Sequence, residues 1–141
     1  MLDTVSVFQK QLSEMLTERG LQVRLWPRST RASCNLLEII TVPKPTVLYV
    51  KASNTTPGFW GLTESQIDRI EKSSVRWFTV FLHKGPGFGY LMSGDEVSAR
   101  IKRGMLTLSG DGDYKLNEKQ ELQSAVKFSD LGDLVTQVLK K

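Results

Sequence analysis

Three features of the 141-residue sequence predict an α/β fold, with a mixed sheet flanked by helices. An amphipathic helical pattern opens the chain. Three strand-like segments with short connections follow it, and then come a second helical pattern and a continuous apolar strand. An α–β–β–β–α–β order of this kind builds a layered domain around one sheet.

Residues 4–19 space Val5, Phe8, Leu12, Met15 and Leu16 by threes and fours, the buried stripe of a helix. Asp3 or Thr4 can cap its start, and Gly20 is placed to end it. Leu21, Val23 and Leu25 then alternate with Gln22, Arg24 and Trp26 as a strand stopped by Pro27. RSTRAS reads as a polar loop or hairpin turn. NLLEIITV (35–42) is the second strand, and Pro43 and Pro45 bracket a tight connection to the third, TVLYVKAS (46–53).

The Pro- and Gly-rich segment NTTPGFWG (54–61) predicts a loop. Thr63 with Gln66 forms a capping box opening the helix LTESQIDRIEKS, whose buried side is Leu62, Ile67 and Ile70. RWFTVFLH (76–83) is apolar throughout, as a central strand would be. GPGFG turns the chain into the short strand YLM (90–92), and Ser93 or Asp95 caps a helix over DEVSARIKRG. MLTLS (105–109) and YKLN (114–117) form a small β element around GDGD, and Ser129 caps the closing helix SDLGDLVTQVLK. No repeat or linker divides the chain, so a single domain is expected, with a core over about 4–92 and a small C-terminal β/α extension over about 93–141.

Composition excludes several classes. Charged residues at 24% and aromatic residues at 9% are ordinary for a folded domain, which removes general disorder. One Cys and one His rule out a disulfide framework and a Cys/His zinc site. No run approaches the ~18 apolar residues of a membrane span. The N-terminal stretch lacks a basic start and an apolar block, so no signal peptide is expected and the cytoplasm is the expected compartment. The net charge of +4 is uneven: residues 19–51 carry Arg19, Arg24, Arg28, Arg31, Lys44 and Lys51 against Glu38 alone. Clustered cations of this kind suit phosphates as well as water.

Several motifs carry less chemistry than they first suggest. Gly85, Gly87 and Gly89 match neither a dinucleotide fingerprint nor a phosphate loop. Asp111, Asp113 and Glu118 lack the spacing of a calcium loop. Nothing in the sequence brings Cys34 to His83 as nucleophile and base. Trp77 and Phe78 sit in an apolar strand and belong to the core, whereas Phe59 and Trp60 lie beside glycines and could stack bases.

The stretch from Gly20 to Ser53 is the most informative. GLQVRLWPRST, NLLEI, LYVKAS, the helix LTESQIDRI and the strand RWFTVFL together resemble the PD-(D/E)xK nucleases, and most closely the archaeal-type Holliday-junction resolvases. The resemblance covers about residues 5 to 84 and implies a restriction-endonuclease-like fold. Such nucleases hold Mg²⁺ between two carboxylates, with a Lys two residues beyond the second sharing its face of the strand. Carried onto this sequence, the first acid falls on Asn35, the second on Tyr49 and the Lys on Lys51, while an acid of the first helix falls near Gln9. Asn and Tyr bring no charge at neutral pH.

Three functional expectations follow from the resemblance. The first is a nuclease-fold domain with a degenerate metal site that binds nucleic acid, DNA ahead of RNA. Arg24, Arg28, Arg31 and Lys51 would meet phosphates, and Phe59 and Trp60 would act as loop contacts. The second is an active Mg²⁺-dependent endonuclease in which Glu38, or Glu14 or Glu18 of the first helix, replaces a missing ligand. Alternation sets Glu38 on the face opposite Asn35 unless a bulge re-aims it. The third is a subunit serving only protein interaction. Resemblance to resolvases also implies a homodimer.

Overall fold

The computed structural model describes residues 3–26 and 36–140. Arg28, Arg31, Cys34 and Asn35 lie outside the described residues. Helix α1 (Thr4–Glu18) starts where the Asp3 carboxylate accepts a 2.7 Å bond from the Ser6 amide, and Gly20 leaves it at a φ of +76°. Its apolar stripe buries Phe8, Leu12 and Leu16. Strands β1 (Val23–Leu25), β2 (Leu36–Ile39) and β3 (Thr46–Ser53) pair antiparallel in chain order.

The chain then leaves the sheet through β4 (Phe59–Thr63) and α2 (Glu64–Lys72). It returns as β5 (Arg76–His83), parallel to β3 from Thr46↔Arg76 to Ser53↔His83. Strand β6 (Gly89–Ser93) follows antiparallel to β5, and helix α3 (Gly94–Lys102) comes next. Strands β7 (Thr107–Leu108), β8 (Asp113–Asn117) and β9 (Val126–Phe128) and helix α4 (Leu131–Leu139) complete the described residues. The main sheet runs β1-β2-β3-β5-β6-β9, and a second sheet runs β4-β8-β7.

Alternation along the strands divides the core in two. One face of the main sheet presents Leu37, Leu48, Val50 and Val80 to the buried stripes of α1 and α4. The other presents Leu36, Val47, Tyr49 and Phe81 to Ile67 and Ile70 of α2, Val97 of α3, and Trp60 and Leu116 of the small sheet. Each large apolar side chain so buried contributes roughly 1.5–3 kcal/mol. The expected mixed sheet flanked by helices is therefore present.

Some local expectations are corrected. The segment 54–61 is not all loop: Phe59–Thr63 pairs along its length with Asp113–Asn117. That strand depends on a partner some fifty residues downstream, so local Gly and Pro signals could not reveal it. Thr63 is the N-cap of α2, yet its side chain makes no capping bond. Asp130, not Ser129, caps α4, accepting 2.7 Å from the Asp133 amide. Three-residue β9 adds an edge to the main sheet, so the C-terminal segment is built into it.

Gly89, last glycine of GPGFG, packs directly against β5. A Cβ there would fall 1.9 Å from the Phe81 carbonyl oxygen, whereas one at Gly87 would meet nothing within 4 Å. Gly89→Ala should therefore lower stability by about 1–3 kcal/mol, and Gly87→Ala by no more than about 0.5 kcal/mol. Urea midpoints of the two variants check this, and equal losses would refute the close approach.

Candidate nucleic-acid interface

Tyr49 and Lys51 share the face of β3 that looks toward α2 and the small sheet. Tyr49 is buried, and its hydroxyl accepts a 3.0 Å bond from the Thr63 amide at the head of α2. Burial pushes its phenol above the usual range. Lys51 is half-buried and lies across from Phe81.

The register sets the place of Glu38 relative to Tyr49 and Lys51. Tyr49 pairs with Leu36, and Glu38 pairs with both Val47 and Arg24. Partners in register share a face, so Glu38 lies on the Tyr49–Lys51 side with no bulge. It does not converge with Lys51, because Val47 is four residues before Lys51, roughly 13 Å along the strand. Its Oε1 accepts 2.6 Å from Arg24 Nε, with the Glu38 side chain 7% exposed and that of Arg24 60% exposed. A carboxylate closed into this pair already has its counter-charge. Arg24 keeps most of its surface in solvent.

The first helix supplies no substitute acid. Glu14 and Glu18 are exposed on α1, which packs on the opposite face of the sheet from Tyr49 and Lys51. Gln9 is half-buried on that helix. Among the described residues, no group of three or more His, Cys, Asp or Glu side chains could hold a metal ion. The described donor set therefore does not fit a hard divalent cation, which needs clustered oxygen ligands.

A polar cluster stands where β3 and β5 end. His83 Nε2 lies 2.8 Å from the Thr55 carbonyl oxygen and its Nδ1 3.3 Å from Glu118 Oε2. Glu118 also accepts 2.6 Å from the Tyr90 hydroxyl and 2.8 Å from the Gly58 amide. The Gly58 amide and then the Tyr90 hydroxyl hold the Glu118 carboxyl below its ordinary range. Burial, with Glu118 alongside, pushes Tyr90 up to about 12. Ser53 Oγ accepts from the Phe59 amide at 3.1 Å, so the 54–58 connection is tied to both strands.

Trp60 is corrected from loop contact to core. It is 2% exposed on β4, and its Nε1 donates 3.0 Å to the Leu82 carbonyl. Phe81 and Tyr90 meet its ring edge-on at 5.6 and 6.1 Å. Alternation turns its neighbour Phe59 outward, 48% exposed. Sequence reasoning did not single out Phe88, Tyr90 or Lys127 for this end of the sheet. Alternation in FGY was the available signal, since Phe88 and Tyr90 lie two apart; the pairing of Tyr90 with Lys127 comes only from register.

Clefts of about 420 to 610 Å³ open elsewhere, beside Arg100, Lys44 and Val42, and none of these includes Tyr49 or Lys51. Among the described residues, no helix is long and apolar enough to cross a membrane.

The topology and the flanking helices define a restriction-endonuclease-like fold, the class the sequence resemblance implies. The chain is similar in structure to Archaeoglobus fulgidus Hjc, a Holliday junction resolvase from an archaeal hyperthermophile. That similarity has a TM-score of 0.51 at 10% sequence identity and covers 92% of this chain and 98% of the other. At that identity the likeness establishes the fold. No protein-family model matches the chain, and no curated protein matches its sequence.

Because Glu118 is held below its ordinary value of 4.5, the stability it contributes is complete above that value and is lost as pH falls through the depressed one. Glu118→Gln should be less stable than wild type at neutral pH and lose less on acidification to about pH 3. Urea titrations at both pH values measure the difference. An unchanged acid response would remove Glu118 as a contributor.

Proposed function

We propose that this chain is a nuclease-fold domain that binds nucleic acid, with a metal site too degenerate for strong catalysis. The observation that carries the reading is the charge around the Lys51 position. Lys51 stands where the resemblance puts a catalytic Lys, Tyr49 stands in place of the second carboxylate, and Glu38 is closed onto Arg24. A face with retained cations and no acid cluster attracts phosphate rather than Mg²⁺. The local excess of cations over residues 19–51 and the fold shared with a Holliday junction resolvase favour the same reading.

Arg24 and Lys51, with Arg28 and Arg31 of the basic segment, are the proposed phosphate contacts. These contacts position a nucleic acid without reading its sequence. DNA is the proposed nucleic acid and a homodimer the proposed assembly, both by the resolvase resemblance, and the cytoplasm is the proposed compartment.

Fluorescence anisotropy with labelled DNA tests the reading. Affinity should fall steeply with added salt, and Lys51→Ala should reduce the log–log salt slope by about one. Arg28→Ala with Arg31→Ala should weaken binding at every sequence. Absence of binding, or binding indifferent to salt, would refute the proposal and leave a protein-interaction role. Incubation of a four-way junction with Mg²⁺ should give no cleavage above background; metal-dependent cleavage abolished by Lys51→Ala would restore the enzyme reading.

A further inference from the structure

The described face that carries Lys51 continues across the sheet into a row that the catalytic motif does not include. Register aligns Lys51 with Phe81, Phe81 with Tyr90, and Tyr90 with Lys127. Lys51 and Lys127 thus stand three strand spacings apart, roughly 14 Å, on one face. One rung beyond lie Ser53 and His83, and each ties an exposed aromatic residue to the sheet. The Phe59 amide donates 3.1 Å to Ser53 Oγ, and the His83 amide donates 2.9 Å to the Phe88 carbonyl. Phe88 is 37% exposed, its ring 6.5 Å from that of His83.

Lysines stand on the Phe88 side of this end of the sheet. Lys127 Nζ lies 5.6 Å from the Phe88 ring centroid and 5.9 Å from that of Tyr90. Lys84 follows His83 at a φ of 63°, and its amide is fixed at 2.9 Å to the Ser53 carbonyl. Lys84 and Lys127 are both exposed, and neither makes a salt bridge within 4.0 Å to a described carboxylate. The nearby acid, Glu118, is occupied by the Gly58 amide, the Tyr90 hydroxyl and His83.

We infer that Phe59 and Phe88 form a stacking platform for unpaired nucleotides, with Lys84 and Lys127 meeting the adjacent phosphates. Exposed rings interleaved with lysines are what a single strand requires: bases stack on the rings, and the backbone follows the positive charge. A blunt duplex keeps its bases stacked on one another and gains only the phosphate contacts. The inference rests on the nucleic-acid reading above and names the substrate class that reading leaves open, a strand or branch with unpaired bases.

Anisotropy on the full chain would compare a labelled thymine single strand with a blunt duplex of equal length. Phe59→Leu and Phe88→Leu keep an apolar side chain at each site, and circular dichroism would confirm that each variant retains its fold. Each should weaken single-strand binding roughly five- to tenfold while leaving duplex binding within about twofold. 2-Aminopurine placed in the single strand should be quenched on binding wild type and not on binding Phe88→Leu, a readout of stacking itself. Lys127→Ala should weaken single-strand binding and lower its salt dependence. Variants that bind the single strand as wild type does, or that lose both substrates equally, would overturn the platform. Wild type that binds neither substrate would instead overturn the nucleic-acid reading on which it rests.

Discussion

The parallel pairing of β3 with β5, unbroken from Thr46↔Arg76 to Ser53↔His83, decides which side chains can act together. It sets Tyr49 and Lys51 on the side of Phe81 and His83, and sends Val50 and Leu82 into the opposite core. Slippage by one residue would exchange these sets, turning Lys51 toward the core that Val50 and Leu82 now fill. Both strands are apolar over most of their length, so burial on two faces holds the register.

From that pairing the chemistry of the site follows by adjacency. The second strand brings Leu36, not an acid, alongside Tyr49, and delivers its carboxylate to the Arg24 edge. The far end of the pairing brings His83 against Glu118, so that one carboxylate gathers donors from the 54–58 connection and from β6. One acid thus compensates a cation at the sheet's edge, and another binds loop to strand. Neither is left with unsatisfied charge to present to a metal.

Much of the architecture was legible because it is local. The stripe Phe8, Leu12, Leu16 and the uninterrupted strands TVLYVKAS and RWFTVFLH state their periods within a few residues. What was not legible depends on pairing across distance. FWGLT becomes a strand only against Asp113–Asn117, and the three residues of β9 only against β6. Trp60 illustrates the difference: its glycine neighbours imply a loop, yet strand geometry turns the indole inward to the Leu82 carbonyl. The face that Glu38 shares with Tyr49 follows only from its pairing with Val47. For the site, residue types were readable in the sequence, while which of them meet was not.

The Tyr49 hydroxyl has a further consequence. By accepting the Thr63 amide it has become the peg on which the head of α2 hangs, at the point where the small sheet passes into the helix. A carboxylate side chain at position 49 is shorter and would leave that amide without its partner, inside a packed interface. One side chain thus fills the core and supports the scaffold at the start of the second helix. An acid placed at position 49 would need a rebuilt junction of β4 and α2, so its first effect would be a less stable protein.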